Sequence, residues 1–227
     1  VKPGCEFVET YCKKSSFPGT TVYHNNHNQI LEKSKRATGA SSQKSVILLV
    51  IDSVSHSNFI RNLPKSLEVL NSLYKSYIFE GMNKVGDNSY PNAIAFLAAK
   101  TREEFGDAGG YFDDRPLIWK DFTKAGYKTL YAEDYVDFNL FTYLAKGFRT
   151  KPTDHYLRPF FLNVYGSYLQ RRSKFLCYGN QAIHNIEFNY LSQFLRKNKD
   201  SPKFALSWFN EIGHEYLNTV NVADKDL

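Results

Sequence analysis

Three short polar stretches of this 227-residue chain carry side-chain types that do chemistry, and each follows an apolar run. Asp52 ends the stretch VILLVID, Ser89 lies in VGDNSYPN, and Glu211 and His214 lie in FNEIGHE. A serine hydroxyl becomes a good nucleophile when a neighbouring metal ion or base lowers its proton affinity. Carboxylate and imidazole groups are the side chains that supply such ions and bases. Together the three stretches predict a metal-assisted nucleophile site.

The stretch around Ser89 has two interpretations that are compatible with each other. Asp87, Asn88 and Ser89 precede Pro91 and the apolar run AIAFLAA, which is typical of a helix N-cap. The same position suits a nucleophile, because the amides and the positive dipole end of a helix N-terminus attract an anion. We therefore predict Ser89 as the nucleophile and Asn88 and Asn92 as substrate-binding residues.

Asp52 also has two interpretations. An Asp that follows a strand often caps the next turn through its side chain. Its carboxylate oxygens are equally suited to a divalent cation. The functional interpretation gains weight because the chain has three polar stretches of this kind rather than one.

The elements that must position these residues form an α/β pattern. Val46–Ile51 is a continuous apolar run typical of a strand buried on both faces, and YKTLYAED and Lys203–Phe209 predict further strands. Helical periodicity runs from Asn58 to Tyr74 and is strongest in Asn180–Lys197. Alternating strands and helices indicate a mostly parallel sheet flanked by helices on both faces. Ligands of such sheets bind beyond the carboxyl ends of the strands, where the three polar stretches are expected.

The remaining segments give shorter predictions. We expect a strand at Tyr77–Met82, helices at Pro91–Ala99 and Leu117–Ala125, and a short helix in FNLFTYLAKGF. Residues 1–44 are polar with little periodicity, which predicts an irregular N-terminal arm that ends in a linker, TGASSQKS. Residues 45–227 then form the folded domain.

Composition limits the classes of protein to consider. With 42% hydrophobic residues the chain can bury a full core. Its longest apolar run, VILLVI, is far shorter than the roughly 18 residues that span a bilayer, so no transmembrane segment is predicted. The net charge is +6, but the 29 Lys and Arg are scattered, so nucleic acid is not an expected partner.

The cysteines and the N-terminus bear on the compartment. Cys5, Cys12 and Cys177 lack the spacing of a zinc site, and each is expected to be a buried free thiol. The competing interpretation is a secreted protein in which one cysteine pairs outside the chain; the sequence does not indicate a pairing. The first residues lack an initiator Met and an apolar signal-peptide core, so we expect the chain to be a fragment.

Several motifs from Val46 to the end of the chain resemble an uncharacterised sulfatase-like family of animal proteins in the alkaline phosphatase superfamily. They are VILLVIDSVSHSNFIRNLPKSLEVL, GMNKVGDNSYPNAIAFLAAKT, PLIWKDFTKAGYKTLYAED, YLAKGFRTKPTDHYLRPFF and FALSWFNEIGHEYLN. The resemblance implies an alkaline phosphatase-like α/β fold, a small phosphate or sulfate ester as substrate, and an extracellular or secretory-pathway location. Sulfatases of the superfamily have C/S-x-P-x-R at the nucleophile, and NSYPNAI lacks that Arg, which favours phosphoryl over sulfuryl transfer.

By this resemblance Asp52 is the first-strand metal carboxylate and Ser89 is the nucleophile. His214 is similar to the catalytic His that binds a second metal or the leaving group. Glu211 stands next to Asn210, where two-metal members have an Asp. The implied cofactor is a divalent metal ion, with Zn, Ca, Mn or Mg as its possible identities, and the implied ligands are Asp52, Ser89, Glu211 and His214.

The resemblance also has departures. His56, which follows SVS, stands where the family commonly has an Arg; it is a predicted substrate-binding residue and is equally typical of an exposed first-turn residue. The superfamily's later Asp-His-Gly segment, which supplies further ligands, does not occur in these 227 residues. The resemblance therefore implies a catalytic domain that is incomplete at its C-terminus, and a 227-residue piece without appreciable activity.

Two functions from different classes stay open. One is a metal-dependent hydrolase or transferase that acts on a phosphate or sulfate ester through Ser89. The other is a catalytically inactive pseudoenzyme or binding module, because the later ligands are absent. A basic nucleic-acid-binding protein is a third and weaker alternative, and the sequence gives no indication of the oligomeric state.

Overall fold

The computed structural model describes residues 3–16, 19–32, 43–106 and 109–227. The strands are β1 (Phe7–Lys13), β2 (Thr21–Asn28), β3 (Val46–Ile51), β4 (Lys128–Glu133), β5 (His155–Tyr156), β6 (Cys177–Tyr178), β7 (Gln181–Ala182) and β8 (Lys203–Phe209). The helices are α1 (His56–Asn62), α2 (Pro64–Ser72), α3 (Ser89–Ala98), α4 (Arg102–Phe105), α5 (Ile118–Lys124), α6 (Arg158–Gly166), α7 (Tyr168–Arg172) and α8 (Ile183–Lys197). Two short 3-10 helices span Val136–Phe138 and Thr219–Ala223.

A four-stranded parallel sheet in the order β3-β8-β4-β5 forms the centre of the domain. This confirms the predicted α/β class, and the strands predicted at Val46–Ile51 and Lys203–Phe209 have the observed bounds. β4 and β8 are buried along their whole length. β3 is the terminal strand of the described sheet, and its Ile47 and Leu49 are exposed. The expectation that β3 is buried on both faces is therefore wrong. Val46, Leu48 and Val50 pack against the core on one face, whereas on the other face α6 and α8 pack over β4 and β8 and not over β3.

Helices cover both faces of this sheet, because successive side chains of a strand point to opposite faces. On one face, Leu130 of β4 and Ala205 of β8 pack with buried residues of α6 and α8. On the other face, Tyr131 of β4 and Leu206 of β8 pack with buried residues of α3 and α5. The two cores hold the carboxyl ends of β3, β8 and β4 at one common edge.

The N-terminal region is a hairpin in which β1 and β2 pair antiparallel. The prediction of an irregular arm is wrong for Phe7–Lys13 and Thr21–Asn28. It missed these strands because β2 is mostly polar and neither strand has an apolar alternation to detect. The hairpin is fixed to the domain by Glu6, whose carboxylate accepts from Lys151 Nζ at 2.8 Å and pairs with buried His155. Burial opposes ionisation of Glu6, but the bonds from His155 and Lys151 outweigh it and lower its pKa to about 2. Residues 38–42 of the predicted linker lie outside the described residues.

Most predicted helices are confirmed. The long helical segment after Asn58 is divided at Leu63 into α1 and α2, and Pro64 begins α2. Proline is well tolerated there, because the first residue of a helix needs no intrahelical N–H bond. The predicted helices that begin near Pro91, Leu117 and Asn180 are α3, α5 and α8.

Two predicted elements are wrong. Residues 77–82 form an exposed irregular segment rather than a strand, and no other strand of the described chain pairs with them. Residues 138–148 form turns after the short 3-10 helix rather than a helix. Leu144 and Gly147 have left-handed backbone angles, with φ of 54° and 70°, which a right-handed helix cannot contain.

The cysteines and the helix lengths bear on two smaller predictions. All three cysteines are free thiols, as predicted, but none is fully buried: Cys5 and Cys12 are exposed, because they lie on and beside the hairpin, and Cys177 is half-buried. Within the described ranges, every helix is too short or too polar to cross a bilayer.

Candidate active site

Ser89 and Asp52 meet at the carboxyl end of β3. Asp52 follows directly after β3, and Ser89 is the first residue of α3. Ser89 Oγ lies 2.7 Å from Oδ2 and 3.0 Å from Oδ1 of Asp52, so the hydroxyl donates to the carboxylate. Two residues that are far apart in sequence are thus in direct contact, although Ser89 follows an irregular segment rather than the strand expected at residues 77–82. A hydroxyl in this position can transfer its proton to the carboxylate or share a cation with it.

Other groups hold the Asp52 carboxylate in place. Trp208 Nε1 donates to Oδ2 at 3.1 Å, and Ser53 Oγ donates to Oδ1 at 3.3 Å. Ser53 has a left-handed φ of 61°, an unfavourable angle for a non-glycine residue directly after the carboxylate. Sequence reasoning missed both partners. Trp208 lies in an apolar strand and therefore gave only the signal of a core residue.

The loop before Ser89 is shaped by Asn92. Its Oδ1 accepts the Val85 backbone N–H at 2.8 Å, and its Nδ2 donates to the carbonyls of Gly86 at 2.9 Å and Asn88 at 2.6 Å. A Cβ atom on Gly86 would lie 2.5 Å from Pro91 Cγ, so the turn requires glycine. Asn92 thus bonds to backbone groups of the loop, and a direct role in substrate binding stays a prediction.

Asn88 and His56 are the other two predicted substrate-binding residues. Asn88 is the exposed N-cap residue of α3, and its side chain makes no capping bond. His56 is the exposed first residue of α1, a helix that Ser55 caps by accepting from the Asn58 N–H at 3.2 Å. Both side chains are accessible to a ligand, and their roles stay predictions.

Glu211 and His214 lie in the loop after β8, and their side chains bond elsewhere than to Asp52. Glu211 accepts from the Tyr165 hydroxyl. His214 pairs with Glu215 through Nδ1 at 2.7 Å, and its ring stacks on Phe138 at a centroid distance of 5.8 Å. In the part of the chain that the structure describes, no three His, Cys, Asp or Glu side chains are grouped to hold a metal ion. The four predicted ligands are thus divided into two places on one sheet edge.

Gly213 brings the His214 loop against Asp52. A Cβ atom at this glycine would lie 2.5 Å from the Asp52 carbonyl oxygen and 3.1 Å from Val54 Cγ2. The Asp52 N–H also donates to the carbonyl of Phe209 at 3.0 Å. The backbones of the two parts are therefore in contact even though the polar side chains point to different partners.

A buried carboxyl pair at the end of β4 anchors the same loop. Asp134 Oδ1 accepts the backbone N–H groups of Asn210 at 2.7 Å and Glu211 at 3.2 Å. Glu133 Oε1 accepts from the Leu140 N–H at 2.8 Å and from Asn210 Nδ2 at 3.2 Å. These bonds fix the direction in which the chain leaves β8.

Burial dominates the electrostatics of this pair. It raises the pKa of Glu133 to about 7, although bonds from Tyr131, Leu140 and Asn210 oppose the shift. Burial likewise raises the pKa of Asp134 well above its usual value, and neighbouring Glu211 adds to the shift. Sequence reasoning assigned no role to either residue, although two acids directly after a strand, in YAED, are the same signal that pointed to Asp52.

Comparison with known proteins places the chain in one family. Over residues 1–227 it matches the family described as Protein of unknown function (DUF229). The chain belongs to this family. The DUF229 match includes the N-terminal hairpin as well as the sheet, and it confirms the prediction of an uncharacterised domain family. No curated protein and no solved structure matches the chain.

Proposed function

We propose that this DUF229 chain carries the nucleophile of a hydrolase or transferase of phosphate or sulfate esters, in a sulfatase-like domain of the alkaline phosphatase superfamily. The observation that carries the proposal is the contact of Ser89 Oγ with both oxygens of Asp52. The hydroxyl begins a helix and lies at the carboxyl edge of a parallel sheet, where α/β proteins bind their ligands.

In the proposed reaction Ser89 Oγ attacks the phosphorus or sulfur atom of the ester. A new Oγ–P or Oγ–S bond forms, the bond to the ester oxygen breaks, and Asp52 accepts the serine proton. The alcohol leaves with a proton from His214. Water or an acceptor alcohol then attacks the group on Ser89 and gives its own proton to His214, and the released Ser89 Oγ takes its proton back from Asp52. Trp208 and Ser53 keep the carboxylate aimed at the hydroxyl through both steps.

The helix terminus favours an anionic substrate. Asn88 makes no side-chain capping bond, so the start of α3 is not closed by its own cap residue. The amides and dipole of a helix N-terminus stabilise negative charge by about 0.3–1 kcal/mol at an exposed site. Negative charge that develops on the transferred group would lie at this end of α3.

The donor set at Ser89 fits part of a divalent-cation shell. The Asp52 carboxylate and the Ser89 hydroxyl are oxygen donors of the type that Mg, Ca and Mn prefer and that Zn accepts. A bound cation would lower the proton affinity of the hydroxyl and neutralise charge on the ester oxygens. Glu211 fits less well, because its carboxylate is bonded to Tyr165.

His214 is the proposed donor to the leaving oxygen. Its side chain is 30% exposed and its Nδ1 is bonded to Glu215, which leaves Nε2 as the nitrogen that would meet the ester. The stack on Phe138 sets the plane of the ring.

The test is turnover of aryl esters by the protein purified at its natural length. Wild type and Ser89→Ala are incubated with 4-nitrophenyl phosphate, bis(4-nitrophenyl) phosphate or 4-nitrophenyl sulfate, each with Zn, Ca, Mn or Mg. We expect Ser89→Ala to lose at least about 10³-fold in turnover, since removing a nucleophile leaves only binding and electrostatic effects. Ser192→Ala on α8 is the matched control and should stay within about twofold.

Equal turnover by wild type and Ser89→Ala would contradict the proposal. Absence of turnover by the wild-type protein with every ester and metal would favour the binding-module alternative. Circular dichroism and thermal unfolding of the variants show that any loss is not a loss of fold.

A further inference from the structure

A cavity of about 360 Å³ opens beyond the carboxyl ends of β4 and β8. Tyr135, which follows β4, and Glu211, Glu215 and Tyr216, which follow β8, form one wall. Gln170 and Phe175 form part of the opposite wall. The cavity therefore lies at the same sheet edge as Ser89 and Asp52 but over the neighbouring strands.

Hydrogen-bond acceptors dominate the polar part of this lining. Glu211 and Glu215 contribute carboxylates, and within the described ranges one oxygen of each has a side-chain partner, Tyr165 and His214 respectively. The side-chain oxygen of Gln170 is buried and has no hydrogen-bond partner among the described residues. A ligand that fits these acceptors must bring N–H or O–H donors.

Two carboxyl groups against one ammonium group make the lining acidic, and burial raises the pKa of the Glu211 carboxyl. Burial, followed by the charges of Glu215 and Glu211, raises the pKa of the Tyr135 hydroxyl. Lys174 is the one cation among the lining residues, and it is exposed at the rim. A positive ligand would therefore be attracted to the interior of the cavity.

Aromatic rings form much of the apolar part of the wall. Tyr135, Phe175 and Tyr216 line the cavity, and Phe175 and Tyr216 contact each other edge to face at 5.5 Å. Ring faces attract organic cations, and their edges pack against an aliphatic or aromatic shank.

We infer that this cavity binds the protonated primary amine of an organic ligand, held by the carboxylates of Glu211 and Glu215 with its carbon shank against the aromatic wall. An ammonium group supplies three N–H donors for these acceptors, which a quaternary amine cannot. β3 and β4 are separated by β8, so the amine would lie on the order of 10 Å from an ester at Ser89. That the amine belongs to the ester substrate rests on the function proposed above.

The experiment is calorimetric titration of the intact protein with phenethylamine and with its neutral counterpart, 2-phenylethanol. Removing an ion pair with the bound ammonium weakens binding, so Glu211→Gln and Glu215→Gln should each raise the Kd for phenethylamine about tenfold or more. Glu103→Gln, an exposed charge change on α4, is the control and should leave the Kd within about twofold. Because Glu215 is exposed, its substitution is not expected to affect folding, and Tyr216→Ala gives a second test through the aromatic wall.

Equal affinity for the amine and the alcohol, or unchanged amine affinity in both Gln variants, would overturn the inference. The titration is repeated with Ser89→Ala, which should bind the amine as tightly as wild type. Amine binding without ester turnover in the wild type would contradict only the proposed function. Ester turnover without amine binding would contradict only this inference.

Discussion

Two groups of carboxylates lie at one edge of the sheet and have different surroundings. Asp52, at the end of β3, accepts from the hydroxyl of Ser89, which is itself at the start of a helix. Glu133 and Asp134, at the end of β4, are fully enclosed; Asp134 accepts from two backbone amides, and Glu133 accepts from the Leu140 amide, the Asn210 side chain and the buried Tyr131 hydroxyl. Position after a strand therefore does not decide the role of a carboxylate. Access to its donor does: the Ser89 hydroxyl is half-buried at the start of α3, whereas the donors to Glu133 are buried and those to Asp134 are backbone amides.

The two groups of carboxylates also differ in their electrostatic surroundings. Burial raises the pKa of Glu133 to about 7 and that of Asp134 well above its usual value. These two groups therefore favour the neutral form, which suits anchors of a loop. Asp52 keeps a hydroxyl partner that can exchange a proton, which suits chemistry.

The largest expected effect is a difference in ester turnover between a substitution of Asp52 and a substitution of Asp134. Asp52→Asn keeps the shape of the side chain but removes the base and the charge, so we expect turnover of the ester to fall about 10³-fold. Asp134→Asn keeps an oxygen that can accept from the Asn210 and Glu211 amides, so turnover should stay within about tenfold. Initial rates of both variants measure the contrast. Equal losses in the two would remove the distinction between a reacting and an anchoring carboxylate.

The free energy of unfolding should be more sensitive to substitution of Asp134 than to substitution of Asp52. Asp134→Ala leaves the N–H groups of Asn210 and Glu211 without their acceptor, and each unsatisfied buried group costs about 1–3 kcal/mol. We expect the free energy of unfolding to fall by about 3 kcal/mol in urea titrations. Asp137→Ala, an exposed change in the following 3-10 helix, is the control and should cost less than about 0.5 kcal/mol. A loss as small in Asp134→Ala as in the control would contradict the anchoring role.

The pH dependence of the free energy of unfolding tests Glu133 by itself. Because the pKa of Glu133 is raised from 4.5 to about 7 in the folded state, its contribution is full below pH 4.5 and is lost as the pH rises to about 7. The free energy of unfolding should fall by roughly 3 kcal/mol across that interval from this residue. Urea titrations from pH 4.5 to 7 should show a smaller fall in Glu133→Gln than in wild type. An identical slope in the two proteins would show that Glu133 does not titrate in this range.

The smallest expected effect concerns the support of Asp52. Trp208→Phe removes the N–H that donates to Asp52 Oδ2 but keeps most of the ring, which stacks on Phe96. We expect turnover to fall about tenfold, with a loss of stability of about 1 kcal/mol from one hydrogen bond. A fall in stability without a fall in turnover would limit Trp208 to a packing role.

The parts of the fold that sequence could predict are those with strong apolar periodicity. β3, β8 and α8 are of this kind, and their predicted bounds match or nearly match the structure. The hairpin was missed because its strands are polar on most positions, and it is fixed by pairs distant in sequence, such as Glu6 with His155. The strand expected at residues 77–82 has the right residue types but no pairing partner in the described chain, and pairing is what makes a strand.

The candidate site likewise has features that sequence could predict and contacts that it could not. The position of Asp52 follows from strand-end topology, so sequence could predict it, whereas Ser89 reaches Asp52 from the start of α3 without the strand that was expected before it. The direction of Glu211 toward Tyr165, and the indole bond from Trp208, depend on side-chain packing across helices and strands. No spacing in the sequence encodes those contacts.

The most direct test of the central claim is to trap the group on Ser89. The protein is mixed with an aryl ester that it turns over, quenched in acid within milliseconds, digested, and analysed by mass spectrometry. We predict a phosphoryl or sulfuryl group on the peptide that contains Ser89, and none in Ser89→Ala. A protein that turns over the ester while every peptide with Ser89 stays unmodified, or that carries the group on another residue, would contradict the account.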